Sequence, residues 1–108
     1  PSLIIKRDHR SDLYADYYDS WTDFLDALAK AYHDTIQHFY DLGARYVQLD
    51  DTTWGYLIQQ FENEKNNPEK TAELAKIAED DVYTINKALE GLPEDLNLAT
   101  HICRVNFK

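Results

Sequence analysis

Ala44-Arg45-Tyr46-Val47-Gln48-Leu49-Asp50-Asp51 is a short run opened by Gly43 and closed by two carboxylates. Tyr46 and Val47 are strand formers, and the run is too short and too β-branched for another helical stretch. Side chains alternate faces along a strand. Tyr46, Gln48 and Asp50 therefore point one way, and Val47, Leu49 and Asp51 the other. A helix, a glycine and a strand ending in acids follow the grammar of α/β enzymes, whose chemistry sits at the carboxyl ends of strands. Asp50 is the first residue to suspect.

Upstream of this run, Ser20 is a plausible N-cap, with Asp23 three residues on. Trp21, Phe24, Leu25, Leu28, Tyr32, Ile36 and Phe39 then recur at helical spacing, which predicts a long helix over 20–42 stopped by Gly43. Before it, Leu3-Ile4-Ile5 reads as a short strand, and Tyr14, Tyr17 and Tyr18 as packing surface. Downstream, Trp54 to Phe61 reads as a short helix with Trp54, Leu57, Ile58 and Phe61 on one side. Residues 62–70 form a polar loop. Asn67-Pro68 opens a second long helix over 68–90, marked by Leu74, Ile77, Ala78, Val82, Ile85 and Leu89 and closed by Gly91 and Pro93. Leu96 to Phe107 reads as a further strand with Asn97, Ala99, His101 and Cys103 on one face. Two strands separated by helices imply a parallel pair. A parallel sheet needs both faces covered, so the chain reads as a slice of a larger α/β fold.

The 108 residues suffice for one modest core, and 44% hydrophobic with 13% aromatic content argues against disorder. A formal net charge of −9 argues against nucleic acid or an anionic membrane as partner. No apolar stretch approaches a membrane span and no basic-then-apolar leader opens the chain. Cys103 stands alone, so no internal disulfide is expected. A cytoplasmic, helix-rich domain is the plain expectation.

Two constellations carry chemistry. His101 and Cys103 at i, i+2 on a strand lie about 6–7 Å apart at the backbone and share a face. An imidazole and a thiol so placed can share a zinc ion, although His-x-Cys alone is a common pattern and zinc takes four ligands. His9, His33 and His38 are expected to face solvent. Asp50 and Asp51 face opposite ways and are therefore no shared-proton dyad. One faces a site beside Gln48, while the other caps the next helix. The plainer alternative makes both turn and cap residues. Arg104 and Asn106 beside the His-Cys strand are polar enough to join a site.

Ala31-Tyr32-His33-Asp34-Thr35-Ile36 with Tyr40 to Asp51, and Thr100-His101-Ile102-Cys103-Arg104 followed by Asn106-Phe107, resemble the catalytic domain of cobalamin-independent methionine synthases. The shorter bacterial methionine-synthase-like proteins are the nearest form, and the resemblance runs from about residue 12 to the C-terminus. It implies a (β/α)8 TIM barrel, of which residues 1–108 form a single partial domain with two or three short strands. It implies a zinc-dependent methyltransferase of methionine biosynthesis, which moves a methyl group from a folate donor to a homocysteine-like thiol. His101 and Cys103 match two zinc ligands of the family, and Asp50, next to Gln48, matches the aspartate that binds the substrate's amino group.

The family has a glycine where this chain has Val105, and a β-branched residue there would crowd the site. The family's remaining ligands, a glutamate and a second cysteine, fall beyond Lys108, and a barrel takes about 250 residues. The chain is therefore expected to be a piece, inactive alone. The alternative is a non-catalytic structural or binding module that self-associates to cover open strand edges. Either way a homo-oligomer is expected, with helices 20–42 and 68–90 at its interface.

Overall fold

The computed structural model describes residues 13–103. The expected strand at Leu3-Ile4-Ile5, His9, and Arg104, Val105 and Asn106 lie outside the described residues. A short 3-10 turn at Leu13–Asp16 leads into helix α1 (Trp21–Asp41), strand β1 (Tyr46–Asp51), helix α2 (Thr53–Asn63), helix α3 (Pro68–Leu89) and strand β2 (Asn97–Ile102).

The helix ends have local causes. The Ser20 hydroxyl accepts from the Asp23 backbone N–H, and the Asn67 side chain accepts from the Lys70 N–H ahead of Pro68. Each cap satisfies one of the amide groups that a helix start leaves without an intrahelical partner. After α1 the chain reverses through Gly43 at φ +106°, a backbone angle suited to glycine.

β1 and β2 are parallel, as the sequence predicts, with Tyr46 opposite Asn97, Gln48 opposite Ala99 and Asp50 opposite His101. Two helices, α2 and α3, make the connection that parallel strands require. Both strands are shorter than expected: β1 starts at Tyr46 instead of Ala44, and β2 ends at Ile102 among the described residues. Arg45 is diverted. Its guanidinium lies 3.9 Å from the Tyr40 ring centre and pairs with Asp95 at 3.1 Å, while Tyr40 donates to Asp95 at 2.7 Å. This cluster joins the end of α1 to the entrances of both strands, and Arg45 O accepts from Asn97 N–H at 2.9 Å.

The core lies where α1 and α3 pack along each other and α2 packs on α3. Leu25, Ala29 and Ile36 of α1, Leu57 of α2, and Leu74 and Ala88 of α3 are buried, as is Leu96 just ahead of β2. The apolar periodicity over-counts this core. Phe39, Ile58 and Val82 are exposed by 51%, 63% and 42%, whereas Asp80, Asp81 and Thr84 of α3 are buried. Asp80 and Thr84 are tolerated because they are bonded. Trp21 Nε1 donates to Asp80 at 2.9 Å, Lys76 pairs with Asp80 at 2.9 Å, and Thr84 Oγ1 donates to the Asp80 carbonyl at 2.7 Å. Tyr14 and Tyr18 pack edge-on against Trp21 and Phe24, as a packing surface should, but Tyr17 is 82% exposed.

The two long helices pack on each other within the chain, while Phe39 of α1 and Val82 of α3 stay open to solvent. Among the described residues no helix is long and apolar enough to cross a membrane.

Candidate functional site at the carboxyl ends of the strands

The alternation expected of β1 decides the site. Tyr46, Gln48 and Asp50 are exposed, Val47 and Leu49 are half-buried, and Asp51 is buried. One face of the strand meets the helices and the other lies open. On the open face, side chains two residues apart lean along the strand and touch. The Tyr46 hydroxyl donates to Gln48 Oε1 at 3.1 Å, and Gln48 Nε2 donates to Asp50 Oδ1 at 3.0 Å. Ala99, opposite Gln48, adds only a methyl group to this face.

The two acids part as their positions require. Asp51 turns inward, and its Oδ1 accepts the Thr53 backbone N–H at 2.8 Å at the start of α2. It is the capping acid that the sequence calls for. Asp50 turns outward beside Gln48 and opposite His101. Behind Asp51 stands the buried Asp81. Burial pushes the Asp81 carboxyl above the usual carboxylate range, and the nearby negative charge of Asp51 pushes the same way.

His101 is exposed and is the register partner of Asp50. Cys103 is half-buried, and its N–H donates to the Asp51 carbonyl at 3.2 Å, which carries the ladder one residue past β2. Residues two apart on such a ladder share a face. Register thus brings Asp50, His101 and Cys103 to one end of the sheet. No group of three or more His, Cys, Asp or Glu side chains able to hold a metal ion forms among the described residues.

A cavity of about 320 Å³ opens at the end of β1, with Tyr32, Asp50, Asp51, Thr53, Thr84 and Ile85 in its wall. His101 and Cys103 do not line it, so the strand-end pair and the cavity adjoin through Asp50 without merging.

Of the other histidines, His38 is exposed as expected, but His33 is half-buried, with Nδ1 3.1 Å from the Ala88 carbonyl. It ties α1 to α3 and, against expectation, does not stand free in solvent. Sequence reasoning missed the hydroxyl of Tyr46. Its shared parity with Gln48 and Asp50 was the available signal.

No family model and no solved structure matches the chain. Two proteins of Bacillus subtilis (strain 168) are similar to it. The chain is 38% identical to "Uncharacterized protein YxjH" over 97 residues, which cover 84% of this chain and 24% of that protein. It is 37% identical to "Uncharacterized protein YxjG" over 98 residues, covering 86% of this chain and 24% of that protein. The chain therefore spans about a quarter of the length of the curated relatives it matches.

Proposed function

We propose that this chain supplies two adjacent strands of a (β/α)8-barrel methyltransferase that is zinc-dependent and acts on a homocysteine-like thiol with a folate methyl donor. One observation carries the reading: Asp50 and His101 are register partners at the carboxyl ends of parallel strands. That is the end where α/β barrels build their sites. The relatives, about four times as long as the matched segment, leave room for the rest of such a barrel.

In this reading the Asp50 carboxylate pairs with the ammonium group of the amino-acid substrate, a charge-assisted bond that fixes where the substrate's thiol lies. His101 and Cys103 would hold the zinc. Their imidazole and thiol are donors of the kind zinc prefers, and they fill two of its four positions. When bound, the ion supplies stabilisation of the thiol as thiolate near neutral pH. Gln48 orients the carboxylate beside it. The described part of the chain holds half a ligand set, so it is expected to be inactive alone.

A second reading, a self-associating module, is favoured by the apolar side chains left open on the sheet. Tyr46 is 60% exposed on one face, and Leu98 and Ile102 are 37% and 48% exposed on the other. The sheet then joins the exposed Phe39 and Val82 of the two long helices as a surface that a second copy would cover.

Zinc measured by elemental analysis on the purified chain, beside a His101→Ala, Cys103→Ala variant, separates the two readings. Zinc that is retained by the chain and lost in the variant supports the methyltransferase reading. Its absence from both leaves the self-associating module as the better account.

A further inference from the structure

We infer that Tyr46 and Gln48 act as a hydrogen-bonded relay that aims Asp50, with Tyr46 a positioning residue that never touches the ligand. The inference rests on the reading of Asp50 as the ammonium-binding carboxylate. Three same-face residues of β1 are joined in one direction: Tyr46 OH to Gln48 Oε1 at 3.1 Å, then Gln48 Nε2 to Asp50 Oδ1 at 3.0 Å.

The direction follows from chemistry. An ionised carboxylate accepts and never donates, so the amide must present its NH2 group to Asp50. That leaves the amide oxygen facing Tyr46, where a hydroxyl donor suits it and a phenylalanine would not. A flipped amide would set its oxygen against the carboxylate. The Tyr46 hydroxyl therefore selects the amide orientation that holds Asp50 Oδ1, and Oδ2 is assigned to the ligand's ammonium. The open face gives the relay room: Ala99 opposite Gln48 has too short a side chain to bond into it. A single exposed hydrogen bond competes with water and is weak. Two in series on one strand restrict three side chains at once, which is what positioning requires.

The test uses the whole chain and two variants that keep side-chain bulk, Tyr46→Phe and Gln48→Leu. The first measurement is the NMR order parameter of the Gln48 side-chain amide. It is expected near 0.8 in the parent and below about 0.6 in Tyr46→Phe, with backbone signals of both strands unchanged. An amide already loose in the parent, or equally ordered in Tyr46→Phe, overturns the relay whatever the ligand does.

The second measurement titrates L-homocysteine and its deamino counterpart, 4-sulfanylbutanoate, and follows the ratio of their affinities. The parent should prefer the amino-bearing probe, and Asp50→Asn should erase the preference. Tyr46→Phe and Gln48→Leu should each reduce it about threefold to tenfold. A preference lost in Asp50→Asn but intact in Tyr46→Phe overturns the positioning role and leaves the Asp50 reading standing. No preference in the parent overturns that reading, and the positioning role with it.

Discussion

Asp50 of β1 and His101 of β2 stand opposite each other, 51 positions apart in sequence and paired in register at the same end of a parallel ladder. Two helices separate them along the chain, and the ladder reunites them. A one-residue slip would turn every side chain of the slipped strand to the other face and separate carboxylate from imidazole. The Tyr40–Arg45–Asp95 cluster at the strand entrances fixes the helix end and both strand starts in one place, and so defends that register.

The core should respond to volume at Leu57 and not at its neighbour. Leu57 is fully buried, whereas Ile58 is 63% exposed. Leu57→Ala is expected to cost about 2–5 kcal/mol in urea unfolding, and Ile58→Ala less than about 0.5 kcal/mol. Equal losses would place the core elsewhere.

The contact between α1 and α3 carries a pH signature. Hydrogen bonds from Lys87 and then Tyr83 hold the Asp26 carboxyl below its ordinary 3.8. The same contact, Asp26 first, holds Lys87 above its ordinary 10.5. A depressed carboxyl means that the folded chain binds its proton less readily than the unfolded one. Its stabilisation is present above about pH 3.8 and is lost as pH falls through the native value. For Lys87 the stabilisation is present below pH 10.5 and is lost as pH rises through the native value. Carbon-detected NMR titration should find Asp26 titrating below 3.8 in the parent and returning toward it in Lys87→Met.

The cap of α3 is a smaller local term. Asn67→Ala should cost about 1 kcal/mol, measured by urea unfolding, since it leaves the Lys70 N–H at the helix start without its side-chain acceptor. Asn67→Asp, which keeps an acceptor and adds a charge favourable at a helix start, should restore that loss.

Self-association is expected to involve the sheet. Sedimentation at tens of micromolar is expected to show a dimer or larger species, and a Leu98→Lys, Ile102→Lys variant a smaller one. A parent that sediments as a monomer would contradict the expectation of a homo-oligomer.

Much of this was legible in the sequence because periodicity and caps act locally. Ser20 and Asn67 announce their helices, and Tyr46 to Asp51 alternates as a half-covered strand should. The parity of that strand separated the exposed Asp50 from the buried Asp51, which accepts the Thr53 N–H. What was illegible depends on contacts made across the fold. The burial of Asp80, Asp81 and Thr84 follows from where α1 and α2 cross α3, and helical spacing of apolar residues cannot show it. His33 was assigned to solvent because its partner is a backbone carbonyl 55 residues away. Phe39, Ile58 and Val82 fit the apolar period yet stay exposed, since hydrophobic spacing shows which residues can be buried and not which surfaces are covered.

The most direct measurement is a zinc titration of the chain followed by NMR at His101 and Cys103. The account predicts that the His101 imidazole and the Cys103 β-carbon shift together and saturate together. Both responses should vanish in either single alanine variant. Signals that stay still at both residues, or shifts confined to His9, His33 and His38, would contradict it.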